Sequence, residues 1–166
     1  WGGGHILQFA NTAMLITALF VLARLTLKDI VLKDNQLTLT AMATLVLYSG
    51  MGISITLKYA PVHEKYWTMF TKFQYGLVLP AMLVGIPMLV DILQQRKIGK
   101  GLQMRDPVLL CLLLSPVVFA VGGILGLFVD GGDTRTPAHY HGIIAGINLS
   151  FMGLFYGLFL PVLGRA

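Results

Sequence analysis

Apolar residues in this chain come in long stretches broken by short polar interruptions. Five stretches stand out, at roughly 6–25, 37–57, 73–93, 108–129 and 138–163. Each has about 20 residues or somewhat more, and at about 1.5 Å of rise per residue such a helix crosses a hydrocarbon layer about 30 Å thick. The pattern predicts membrane helices rather than one buried soluble core. Pro80, Pro87 and Pro116 fall inside these stretches. In water they would argue for helix ends, but membrane helices tolerate such kinks where neighbours satisfy the freed carbonyls. The last stretch has a marked beginning: Thr136 fits an N-cap and Pro137 the first helical turn, placing Ala138, His139, Tyr140 and His141 in the opening turns. The preceding Asp130-Gly131-Gly132-Asp133 reads as a turn. The expected architecture is an all-α membrane protein, a single domain over residues 1–166 formed by a bundle of about five transmembrane helices.

Composition agrees. Apolar residues make up 56% of the chain and charged ones 11%, where a soluble domain carries about a quarter charged. The one cysteine, Cys111, lies in an apolar run, which leaves neither a disulfide framework nor a thiolate metal site. The formal charge of +5 sits in the connections between spans, so it is read as a topology determinant rather than a nucleic-acid footprint. Arg24, Lys28, Lys33, Arg96, Lys97, Lys100, Arg105 and Arg165 fall on one side, and Lys58, Lys65, Lys72 and Arg135 on the other. The richer side is expected to be cytoplasmic, with the first, third and fifth spans running inward. The chain opens on Trp1 rather than methionine, and is expected to be a processed, split or partial piece of a larger assembly in a bacterial or archaeal cytoplasmic membrane.

Candidate chemistry rests on the histidines. His139 and His141 are two residues apart, and at about 100° per residue their side chains leave a helix in nearly opposite directions. They cannot chelate one metal together, which needs a spacing of three or four. They can reach two cofactors on opposite flanks, and imidazole is an ordinary axial ligand of heme iron. The alternative is a pair that caps the helix at the membrane interface. Gly142, Gly146, Ser150, Gly153 and Gly157 form one smooth face below His139. That face suits a flat macrocycle or, as small-residue stripes usually do, a neighbouring helix.

The segment Asp133-Thr134-Arg135-Thr136-Pro137-Ala138-His139-Tyr140-His141-Gly142 resembles the tenth helix of subunit I in heme–copper oxidases (cytochrome c oxidases) and the related nitric oxide reductases. The opening Trp1-Gly2-Gly3-Gly4-His5 is similar to the start of that family's sixth helix, and the interval accommodates helices six to ten. The inferred orientation also fits, since even-numbered helices in the family run from outside to inside. The resemblance implies a partial heme–copper oxidase subunit I. His139 would ligate a high-spin heme where O2 or NO reacts, and His141 a low-spin heme that feeds it electrons. His5 would bind a copper or non-heme iron beside the high-spin heme. Lipid, further chain segments or subunits supplying the remaining helices, and a cytochrome c or quinol electron donor would be its partners.

The chain departs from the family where the second metal binds. No His-His pair occurs, and by alignment on Tyr66-Trp67 the family's seventh-helix pair falls on Thr56 and Leu57. Phe9 stands where the relatives carry a tyrosine or glutamate, and it can neither donate a proton nor form a phenoxyl radical. These departures leave the second-metal site incomplete. They also keep open a degenerate, non-catalytic electron-transfer or assembly subunit, and a membrane scaffold without cofactor. Gln8 and Thr12 share the helical face of His5 and make a small polar patch; a hydrogen-bonded interfacial histidine is the plainer account of His5. His63 reads as solvated. Asp91 reads as snorkelling beside Arg96 and Lys97 rather than as a proton-path group. Tyr66, Trp67, Phe70 and Tyr75 read as an interfacial aromatic belt.

Overall fold

In the computed structural model, residues 2–27, 35–97, 104–129 and 134–164 are described. Trp1, Lys28, Lys33, Lys100, the Asp130–Asp133 turn and Arg165 lie outside them, as do the side chains of Arg96 and Lys97. The described elements are all helical: α1 (Gly2–Thr26), α2 (Asn35–Lys58), α3 (Glu64–Phe73), α4 (Val78–Lys97), α5 (Pro107–Gly126), α6 (Arg135–Leu154) and the short α7 (Leu160–Val162). Among the described residues, five helical stretches are long and apolar enough to cross a membrane: Gly2–Thr26, Gln36–Lys58, Glu64–Gln95, Pro107–Gly126 and Arg135–Val162.

The third stretch begins well before the expected residue 73. α3 is amphipathic, burying Tyr66, Phe70 and Phe73 while exposing Lys65, Thr68 and Lys72. His63 caps it, its Nδ1 accepting from the Lys65 N–H at 3.1 Å. Gln74–Leu77 then tightens to a 3-10 turn before α4. Pro80 explains the position: it has no N–H for the Gly76 carbonyl and its ring crowds that carbonyl. The same logic applies to Pro161 and Gly157, where the helix widens to a π-turn over Phe155–Phe159. The fourth stretch, α5, stops at Gly126, short of Val129. There the Leu127 and Phe128 N–H groups bond back to Ile124 and Leu125 in a closing turn. The fifth starts earlier than expected, with Thr134 rather than Thr136 at the N-cap and no side-chain capping bond.

The chain divides into two compact units, Trp1–Ile16 with Val31–Val90, and Thr17–Ile30 with Asp91–Ala166. The core of the first is aromatic. Phe9 packs on Phe73 with ring centroids 4.6 Å apart, and Phe70 meets Tyr66 at 4.8 Å and Phe73 edge-on at 5.9 Å, geometries that favour aromatic pairs. Glycines admit close neighbours. A Cβ on Gly52 would fall 3.0 Å from Ile6, and one on Gly76 2.5 Å from the Tyr48 ring.

The second unit is built on α5 against α6. A Cβ on Gly122 would lie 2.5 Å from the Ile143 backbone nitrogen, and one on Gly146 2.7 Å from that of Phe119. Only glycine lets the two backbones come this close. Ser115, fully buried, donates to the Gly146 carbonyl at 2.7 Å across the pair. By contrast Thr12, Thr26, Thr44 and Thr56 donate to carbonyls four residues back in their own helices.

Candidate heme-ligand site

His139 lies in the second turn of α6, half-buried and turned to α5. Its Nδ1 is 2.7 Å from the Gly122 carbonyl. A carbonyl only accepts, so Nδ1 carries the proton, which leaves the Nε2 lone pair of a neutral ring as the ligating edge. A hydrogen bond of this kind fixes both the tautomer and the orientation of a metal-binding imidazole. Gly126, one turn beyond Gly122, makes room for the ring: a Cβ there would fall 2.6 Å from Nδ1 and 2.7 Å from Cε1.

His141 is exposed and is oriented by its own helix, its Nδ1 donating to the Pro137 carbonyl at 2.7 Å. Here too the lone pair is left at Nε2. Among the described residues no protein group hydrogen-bonds either Nε2. Two imidazoles thus stand on different flanks of one helix, each with Nδ1 on a backbone carbonyl and Nε2 on the far edge. The spacing in the sequence predicts the flanks. The acceptors that select the tautomers come from a carbonyl of α5 and from the local helix, and neither is visible in a side-chain pattern.

The small-residue face below His139 belongs to protein. Gly142 and Gly146 meet α5 at Gly122 and Phe119, Gly153 meets Cys111 and Leu22, and Gly157 meets Val108 and Leu25. Helix packing, not a macrocycle, takes this face.

His5 lies in the other compact unit, buried at 8% exposure, with its ring 6.0 Å from that of Phe70. Thr12 is buried on the same face of α1, while Gln8 is only half-buried and the Phe9 ring lies against Phe73. The surroundings are therefore more aromatic than the polar patch expected from Gln8 and Thr12. On α2 the positions matched to the family's histidine pair face outward: Leu57 is 83% exposed, and Thr56 is exposed with its hydroxyl committed to Gly52. Gly52 and Ile55 are the buried positions of that turn. Among the described residues no three His, Cys, Asp or Glu side chains are grouped to hold an ion.

Two further expectations change. Asp91 is buried at 2% exposure, together with Gln95, so it does not snorkel to an exposed surface. Tyr66 and Phe70 are core residues, which leaves Trp67 and Tyr75 as the exposed aromatics of that group. Trp67 donates its indole N–H to the Pro61 carbonyl at 2.7 Å. His63 is exposed as expected, and its ring also caps α3.

No protein-family model and no solved structure matches the chain. Two curated sequences are similar along nearly all of it. An uncharacterized protein of Aquifex aeolicus is 29% identical over 165 residues, covering 99% of this chain and 38% of its own length. An uncharacterized protein of Rickettsia prowazekii is 25% identical over 192 residues, covering 98% of this chain and 36% of its own length. The chain therefore spans less than two fifths of these relatives.

Proposed function

We propose that this chain is the heme-carrying part of a heme–copper-type subunit I in a bacterial cytoplasmic membrane, with His139 the ligand of a high-spin heme and His141 that of a low-spin heme. The observation that carries the reading is the pair of Nδ1–carbonyl hydrogen bonds. Each imidazole has its proton on the nitrogen facing the protein and its lone pair on the other, the state in which a neutral histidine binds iron. An interfacial capping pair requires no such arrangement twice. Bound there, the two hemes would supply electron transfer between them and the reduction of O2 or NO. The chain's own share is orientation: the Gly122 and Pro137 carbonyls hold the rings. Relatives more than twice as long fit an assembly in which other segments supply the remaining helices and the docking site for a cytochrome c or quinol donor.

A second reading is favoured by a specific observation. Phe9 is packed on Phe73, and Thr56 and Leu57 face away from the buried side of α2. A copper or non-heme iron at His5 would thus draw few ligands from this chain, which suits a non-catalytic electron-transfer or assembly subunit.

Optical spectra of the purified native complex test both. High- and low-spin heme signals are expected, with carbon monoxide binding to the first. His139→Ala should remove the carbon-monoxide-reactive heme and keep at least part of the low-spin spectrum, and His141→Ala should do the reverse. Unchanged spectra and heme content in both variants would refute the two-heme assignment. Low-spin heme alone would favour the second reading.

A further inference from the structure

We infer that Gly126 is a positioning residue for His139: its missing side chain is the space into which the Nδ1–Cε1 edge of the imidazole fits. This rests on the reading of His139 as a heme ligand. The argument is steric. A methyl group on Gly126 would lie 2.6 Å from Nδ1 and 2.7 Å from Cε1, separations that van der Waals contact does not allow, and a tight 3.3 Å from Cγ. Retreat of the ring breaks the 2.7 Å hydrogen bond from Nδ1 to the Gly122 carbonyl, because that bond and the close contact involve the same edge. The ring would then lose both its tautomer selection and the direction of Nε2. Gly126 acts through His139.

The α5 sequence contains its own control. Gly123 lies one turn away on the same helix, and a Cβ there meets no protein atom within 4 Å. Alanine favours the helix over glycine at both positions, less so at Gly126, the last residue of α5, so a loss confined to Gly126→Ala does not come from helix propensity and reports the contact with His139.

The experiment compares these two variants with wild type and His139→Ala in the intact membrane complex. It reads heme content, the carbon monoxide difference spectrum and the iron–histidine stretching band by resonance Raman. Gly126→Ala should weaken retention of the His139-dependent heme by about tenfold, as the loss of a ligand's orienting partner does. It should also shift the stretching band of the heme that remains. Gly123→Ala should match wild type, and the His141-dependent signal should persist in both. If wild type carries a His139-dependent heme and Gly126→Ala matches Gly123→Ala, the inference falls and the ligand assignment stands. If wild type carries no such heme, both fall. Should Gly126→Ala fail to accumulate, the double variant with His139→Ala decides. The three nearest atoms all belong to the imidazole, so the double variant should accumulate as His139→Ala does. Its failure would assign Gly126 to helix packing and overturn the inference.

Discussion

At His139 the proton on Nδ1 is held by the Gly122 carbonyl, and one turn of α5 later Gly126 leaves the gap that the ring enters. Gly122 thus has two tasks, since its own missing side chain also lets α5 approach the Gly142–Ile143 peptide. Gly122→Ala should therefore cost about 1–3 kcal/mol through forced separation of the helices. Gly123→Ala should change stability little, because its Cβ would meet open space. Thermal or detergent denaturation of the purified complex measures the difference; equal stability in the two variants would contradict the packing. At this scale the sequence was legible for spacing and silent on partners. That His139 and His141 leave α6 on different flanks follows from two residues of separation. That each ring is oriented by a backbone carbonyl does not, because carbonyls carry no residue-type signature. The cap that exposed His63 makes is silent for a related reason: histidine is not among the usual capping residues, so only the placement of the Lys65 N–H reveals it.

Helices were legible as apolar stretches because a membrane span is defined by length and by the absence of charge. Their ends were less so. α3 was missed because its polar face, Lys65, Thr68 and Lys72, hides a buried stripe of Tyr66, Phe70 and Phe73 from any average of hydrophobicity. The same averaging turned Tyr66 and Phe70 into an expected surface belt. Asp91 was misplaced because a carboxyl near a helix end was weighed by its basic neighbours in sequence and not by what packs on it. Orientation is a matter for this scale too. The connection between α4 and α5 should face the cytoplasm, since it combines Arg96, Lys97, Lys100 and Arg105. Met104, exposed at its end, offers a labelling position. A cysteine at Met104 should resist an impermeant thiol reagent added to intact cells and react once the membrane is opened. Strong labelling from outside would reverse the topology.

For the whole molecule, the content of the second-metal site separates an oxidase from an electron-transfer subunit. Imidazoles hold such ions by number and geometry, and this chain offers His5 with no neighbouring histidine pair on α2. The purified complex should hold two hemes with substoichiometric copper, and O2 reduction should be slow unless a partner segment adds ligands. One tightly bound copper per high-spin heme, with rapid O2 consumption abolished by His5→Ala, would show the site to be complete. The Ser115 hydroxyl has a different consequence, one for how the protein is made. Thr12, Thr26, Thr44 and Thr56 each carry an acceptor in their own helix, so they can leave the translocation channel for lipid already satisfied. Ser115 has its acceptor, Gly146, 31 residues later in the chain, so where helices insert one after another α5 would meet lipid before that acceptor is in place. Until α6 arrives the serine must turn back on its own helix as the threonines do. Its transfer to Gly146 then marks the moment at which separately inserted helices become a pair.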